Sequence, residues 1–384
     1  MYKKNFPGFI CLIVLFALIF SSCSASPSIP LSSLLPNPPV SSYSSPSSAP
    51  PLPSSTAPSE PEEPEDVIDI KALKDFFDNK LISSNAILIS LDESEAIYEK
   101  DAETILYPAS MTKIMTTIIA LENIDDLSKT TSISQSLYDY LLEMDASILG
   151  IPADEIITLE DLVYGNLLVS GADCSISLAE FIAESEYDFV ALMNKKAAEI
   201  GMTDTLFTNC TGLHDENHYS TVKDISILLK YALTQSPKSD EFKKMFSTEN
   251  YSLISDSYPD GLVLSSTFFG NPNVVKFKNN KVKLLGGKTG FTAEAGLCLA
   301  SSAEIFDGQY IIVTAGADGN HYTEQFGVID HLNSYKALTS DFNFISADDA
   351  ESDTDELIPD DDSDNEDDLA SDADSATDSD LPIE

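Results

Sequence analysis

The chain contains no arginine: all 21 of its basic residues are lysine, set against 64 Asp and Glu, for a net charge of −43 over 384 residues. A nucleic-acid backbone is bound by clustered positive charge, so nucleic acid is not among the expected partners. Cysteine is scarce as well. Cys174, Cys210 and Cys298 are the ones that fall in the middle of the chain, and an odd number so widely spaced forms no disulfide framework; they read as small buried hydrophobes. The apolar run from Phe9 to Phe20 is short for a membrane span. The acidic stretch beyond Ser346 lacks the turn glycine of an EF-hand loop, so no calcium site is expected there.

What is present divides the chain into four. Lys3 and Lys4, the apolar run and small residues ending in Cys23 follow the order of a secretory signal over residues 1–23, which faces the rest of the protein outward. Residues 24–66 are Pro, Ser and Ala with a late run of Glu. Such a segment buries too little surface to offset its ordering entropy and reads as an extended linker. Residues 67–342 carry the folding signal and suffice for one domain of ordinary size. In 343–384 about half the residues past Ser346 are Asp or Glu, which predicts a disordered, self-repelling tail.

Within the domain, Val67, Ile70, Leu73, Phe76 and Phe77 lie at helical spacing, and Ala86–Leu91 with Ala96–Tyr98 predict a hairpin across Asp92-Glu93-Ser94. Met111, Ile114, Met115, Ile118 and Ile119 form a buried helical stripe. Residues 158–200 are helical in period, broken at Ser170-Gly171, with Thr158 and Asp161 as a capping pair and Gly201 as a C-cap. Thr221 with Asp224 starts another helix. Lys283–Thr289, Gly296–Ser302 and Tyr310–Ala315 read as successive strands, turning at Phe306-Asp307-Gly308, before a last helix from about Gln325 to Leu338.

Ser110 and Lys113 stand three apart where a proline-containing loop enters a helix, so both side chains leave one face of its first turn. An amine takes a proton from a neighbouring hydroxyl only when neutral, which requires a lysine pKa well below its usual value of about 10.4. Burial and a second cation both act in that direction; Lys288 is the expected second cation. Backbone N–H groups at the helix start favour a developing oxyanion. His214 and His218, beside Asp215 and Glu216, have the i, i+4 spacing of a metal pair but none of the usual zinc pattern around them.

Ser110-x-x-Lys113, Ser170 on an interhelical break and Lys288-Thr289-Gly290 ending a strand stand in the order S-x-x-K, S-x-N, K-T-G. With Tyr107-Pro108-Ala109-Ser110, Leu213-His214-Asp215-Glu216-Asn217-His218-Tyr219-Ser220-Thr221 and Gly286-Gly287-Lys288-Thr289-Gly290-Phe291-Thr292, residues 68–340 resemble the D-alanyl-D-alanine carboxypeptidases, low-molecular-weight serine penicillin-binding proteins of the β-lactamase/transpeptidase-like family. The resemblance implies an α/β (α+β) fold, an antiparallel sheet flanked by helices with a mostly helical subdomain. It implies that Ser110 attacks the bond between the terminal D-alanines of a peptidoglycan stem peptide, that Lys113 accepts its proton, and that Ser170 relays a proton to the departing D-alanine. Lys288 and Thr289 would bind the substrate carboxylate or tune Lys113, with Gly290, Phe291 and Thr292 completing the substrate strand. The N–H groups of Ser110 and Phe291 would form the oxyanion hole. β-Lactams would acylate the same serine, and no cofactor or metal is implied.

Two departures are visible. Ala172 stands where the middle motif has Asn, and Asp173 replaces it poorly, being acceptor-only when ionised; this motivates an alternative, a non-catalytic or weakly active penicillin-sensing or wall-binding lipoprotein. A β-lactamase is less well supported, since no Glu-x-x-x-Asn water-activating loop is clear after Ser170. Phe20-Ser21-Ser22-Cys23 resembles a lipobox, which implies an N-terminus lipidated on Cys23 and anchored to the outer face of the bacterial cytoplasmic membrane. Neither the β-rich second domain nor the C-terminal anchor common in relatives is legible after Asp341.

Overall fold

The computed structural model describes residues 70–92, 96–320, 322–341 and 344–345. Cys23, the linker, Val67, the hairpin residues Glu93 and Ser94, and the acidic tail beyond Ile345 lie outside the described residues. Helix α1 (Ile70–Lys80) buries Leu73, Phe76 and Phe77, and β1 (Asn85–Ser90) pairs antiparallel with β2 (Ala96–Lys100). A 3-10 turn, Ala109–Thr112, runs into α2 (Lys113–Asn123), which is buried from Lys113 to Leu121 and so enclosed on every side. The short strands β3 (Thr130–Ser132) and β4 (Ile156–Thr158) pair across α3 (Gln135–Glu143).

Next come α4 (Leu159–Leu168), α5 (Ala172–Ala183), α6 (Glu186–Ile200), α7 (Val222–Thr234) and α8 (Ser239–Phe246). The Thr158 hydroxyl accepts from the Asp161 N–H at 3.1 Å and Asp161 accepts from the Thr158 N–H at 2.8 Å, a reciprocal cap for α4. Thr221 caps α7 through the Asp224 N–H at 3.0 Å. A hairpin of β5 (Asn250–Leu253) and β6 (Leu262–Ser265) precedes α9 (Pro272–Lys276). Then β7 (Val282–Thr292), β8 (Gly296–Ile305) and β9 (Gly308–Ala317) lead to α10 (Phe326–Leu338).

Five strands form one antiparallel sheet in the order β2-β1-β9-β8-β7, with β7 at an edge. Successive side chains of a strand face opposite ways, and both faces of this sheet are covered. Ile311 and Val313 of β9 join the apolar cluster of α2, α4 and α7, while Tyr310 and Ile312 join Leu73 and Phe77 of α1 and Tyr335 and Leu338 of α10. Packing continues past Asp341: the Phe344 ring lies 4.4 Å from that of Phe76, and the Ile345 main chain exchanges hydrogen bonds of 2.9 and 2.8 Å with the Asn333 side chain. Among the described residues no helix is long and apolar enough to cross a membrane.

Candidate active site

The sequence predicts Ser110 and Lys113 in the first turn of an α-helix; they sit instead where the 3-10 turn meets α2. A 3-10 turn has three residues per turn, so positions i and i+3 eclipse, and Lys113 stands directly over Ser110. The Lys113 ammonium nitrogen lies 3.1 Å from Ser110 Oγ and 2.5 Å from the Thr211 carbonyl oxygen. Lys113 is 2% exposed. Burial lowers its pKa from 10.5 to about 8, against the opposing pull of the Cys210 thiol, the Asp173 carboxyl and the Cys174 thiol.

The turn is clamped from outside. Ala109 takes a left-handed φ of +46°, and its carbonyl presses on Gly212, itself at φ +78°, where an added Cβ would stand 2.0 Å from the Ala109 oxygen. Asn209 Oδ1 accepts from the N–H groups of Thr211 at 3.2 Å and Gly212 at 2.7 Å, which aims the Thr211 carbonyl at Lys113. From the other side buried Asn166 donates to the Lys113 carbonyl at 3.1 Å and to Thr117 Oγ1 at 2.8 Å, and accepts from Ser175 at 2.7 Å. His218 Nδ1 accepts from the Thr208 N–H at 3.1 Å and Nε2 faces Thr112 Oγ1 at 2.8 Å, so both ring nitrogens are used within the protein. Burial lowers its pKa to about 4 and keeps the ring neutral. His214 meets the Tyr107 ring edge-on and lies 3.7 Å from Glu294.

Ser170 holds the break between α4 and α5 with φ +62°, and its Oγ accepts from Lys288 Nζ at 2.9 Å. Lys288 also donates to the Thr289 carbonyl at 2.8 Å and is fully buried under the cleft floor. The expectation that Lys288 lowers Lys113 as a second cation needs correction. Burial first, and then Lys113, hold Lys288 well below its usual value. On Lys113 itself the lowering comes from burial.

Ala172 is buried and offers the cleft no amide; its N–H is used on the Ser147 carbonyl at 2.8 Å. The Asp173 carboxylate takes the Leu149 N–H at 2.9 and 3.0 Å, so it anchors the 147–149 loop rather than reaching the base. The Thr289 and Thr267 hydroxyls are 2.7 Å apart. Gly290 lets β7 approach the nucleophile, since a Cβ there would lie 3.0 Å from the Ser110 nitrogen. Thr292 Oγ1 accepts from the Ala295 N–H at 3.0 Å at the strand's end.

Ser110, Lys113, Ser170, Thr289, Gly290, Phe291 and Thr292 thus line one cleft of ≈ 560 Å³, with Lys288 directly behind Ser170. Thr211, Thr267 and Asn166 were not legible from the sequence. A main-chain carbonyl has no sequence signature, and Thr267 and Asn166 belong to none of the three motifs. A serine beside a buried lysine whose pKa is lowered to about 8 is equipped for nucleophilic attack and covalent catalysis.

The family described as D-alanyl-D-alanine carboxypeptidase matches residues 74–319. Among curated relatives, the D-alanyl-D-alanine carboxypeptidase DacF of Bacillus subtilis is 34% identical over 236 residues, 61% of this chain and 57% of that protein. The D-alanyl-D-alanine carboxypeptidase DacC of Escherichia coli is 28% identical over 264 residues, 67% of this chain and 60% of its own length. The chain thus spans about three-fifths of these two relatives. Among solved structures, a D-alanyl-D-alanine carboxypeptidase from Mycobacterium tuberculosis superposes with a TM-score of 0.56 at 22% identity, covering 67% of this chain and 91% of that one. The Streptomyces K15 DD-transpeptidase gives 0.58 at 20% identity, covering 68% and 97%. At these identities the structural likeness speaks to the fold.

Proposed function

Since the chain belongs to the D-alanyl-D-alanine carboxypeptidase family, we propose that it removes the terminal D-alanine from peptidoglycan stem peptides through an acyl-enzyme on Ser110. The observation that carries this reading is the buried Lys113 amine 3.1 Å from Ser110 Oγ, both residues lining the cleft beside β7. Neutral Lys113 takes the Ser110 proton as Oγ attacks the carbonyl of the penultimate D-alanine. The N–H groups of Ser110 and Phe291 receive the negative charge on the tetrahedral oxygen, and the approach of Gly290 to the Ser110 nitrogen supports that pairing. As the C–N bond breaks, the proton that Lys113 took from Ser110 passes through the Ser170 hydroxyl, which Lys288 holds, to the departing amine and leaves Lys113 neutral again. Water then attacks the ester carbonyl and gives its proton to neutral Lys113, which passes it to Ser110 Oγ as the ester bond breaks, restoring the free serine and the neutral amine.

Thr289 and Thr267 offer hydroxyls to the substrate's terminal carboxylate, with Gly290, Phe291 and Thr292 along its backbone. Lys288, being buried, acts through Ser170 and not as a surface cation. β-Lactams are expected to acylate Ser110 as substrate analogues that leave slowly. A fluorescent penicillin should label the protein and fail to label Ser110→Ala, and D-alanine should be released from a pentapeptide. No Ser110-dependent label would sink the proposal. Buried Ala172 favours one rival, a penicillin-sensing or wall-binding protein; label without release of D-alanine would select it.

The protein acts outside the cytoplasm in this reading, held to the outer face of the bacterial cytoplasmic membrane by a lipid on Cys23. Metabolic labelling with a fatty-acid analogue should mark the chain and spare Cys23→Ala. Equal labelling of both rejects the anchor.

A further inference from the structure

Positive charge is scarce in this chain and unevenly placed. Lys276, Lys278, Lys281 and Lys283 fall within eight residues that contain no Asp or Glu. They run from the last turn of α9 into the start of β7, and all four are exposed. The Lys281 ammonium lies 5.2 Å over the Phe306 ring, and Lys283 is 3.6 Å from Glu304. Edge strands carry lysine to deter pairing with other strands. That accounts for Lys283, which lies in β7, but not for the lysines ahead of the strand.

The acidic segment leaves the domain at the same place. Ile345 is pinned by Asn333 and packs on the cluster of Phe268, Val274 and Leu332. Phe277 and Leu284, which alternate with and follow the lysines, pack on that cluster too. Past this point, 18 of the 39 residues from Ser346 to Glu384 are Asp or Glu and none is Lys. Ten residues at full extension reach roughly 33 Å, more than the roughly 26 Å that the eight-residue lysine run spans. A tether this short raises the local concentration of its charges to the millimolar range.

We infer that the acidic segment 346–384 docks on the lysine run 276–283 of its own chain. The opposite charges, the shared apolar anchor and the lack of any competing lysine in the segment all select this occupant over an external polyanion, which would first have to displace it. The contact is electrostatic and exposed, so it weakens as salt shortens the screening length to roughly 4 Å near 0.5 M.

Zero-length carbodiimide coupling of the full chain, read by mass spectrometry, tests it. At low salt, amide cross-links from Asp and Glu of 346–384 should favour Lys276, Lys278, Lys281 and Lys283 over exposed Lys129 and Lys195 by about tenfold, and should fade at high salt. A variant with these four lysines changed to Gln should leave the remaining lysines at background. Mixing isotope-labelled and unlabelled protein should give cross-links within one isotope only. Cross-links spread evenly over exposed lysines, or found chiefly between isotopes, would overturn the inference. Ser110→Ala should give the wild-type pattern, which separates this result from the fate of the catalytic reading.

Discussion

Lys113 serves as a base only without its proton, and burial sets the pH at which that happens. Below about 8 its neutral fraction falls tenfold per pH unit. Acylation of Ser110 by a penicillin should therefore accelerate tenfold per unit up to about 8 and then level off; stopped-flow rates across that range read it, and a flat profile would remove Lys113 from the role. The same burial loads the fold. The unfolded chain holds the Lys113 proton up to 10.5 and the folded one only to about 8, so stability rises with pH between those values and bears the full penalty, ~3 kcal/mol, below them. Lys113→Met should stabilise the domain by ~1–3 kcal/mol at pH 7, less whatever the lost contacts to Thr211 and Ser110 contributed. The gain should shrink above pH 8 while acylation disappears. Denaturant melts at pH 7 and 10 decide, and an equal gain at both refutes the account. At this scale Ser110 and Lys113 stood out through their i, i+3 spacing taken together with Ser170 and Lys288-Thr289-Gly290, since Ser-x-x-Lys by itself recurs by chance. The depth of Lys288 was not, because a lysine in an edge strand carries no sign of which way it turns.

The element that matters most is the 3-10 turn. Ala-Ser-Met-Thr has no local reason to tighten beyond an α-helix; the tightening accompanies a left-handed Ala109 whose carbonyl lies against Gly212, a residue far off in sequence. This explains why spacing predicted the helix and placed Ser110 and Lys113 on one face but not the eclipsed geometry that stacks them. Gly212→Ala adds a methyl 2.0 Å from the Ala109 oxygen at φ +78°, and should cost ~2 kcal/mol or more together with most of the penicillin labelling. Thermal melts and labelling on one preparation check both, and native labelling in that variant would show that the turn forms without the clamp. Longer elements were legible where one period dominated: Met111 to Ile119, the β7–β8–β9 meander, the reciprocal cap of Thr158 and Asp161. The shorter ones, α3, α9 and the β5–β6 hairpin, end before a period can stand out from its surroundings.

At the scale of the molecule, the described domain ends by tucking Phe344 against Phe76 and tying Ile345 to Asn333. A chain cut after Ile345 should melt at high salt within about 1 °C of the full one. A cut after Asp341, which strips those contacts, should lower Tm by about 4–8 °C, equivalent to ~2 kcal/mol. Equal melting of both would mean that these residues contribute nothing. The boundaries in sequence followed composition, which marks where apolar periodicity stops but cannot register two residues that pack without any period.

One apolar cluster extends from α2, α4 and α7 onto a face of the sheet, and Ser110, from the turn that enters α2, and Thr289, from β7, line the same cleft. A drug esterified to Ser110 and gripped by that strand would therefore work as a rivet through both layers. Treated protein should resist heat and proteases better than untreated protein, and molecules that have lost the layered arrangement should be blind to the drug.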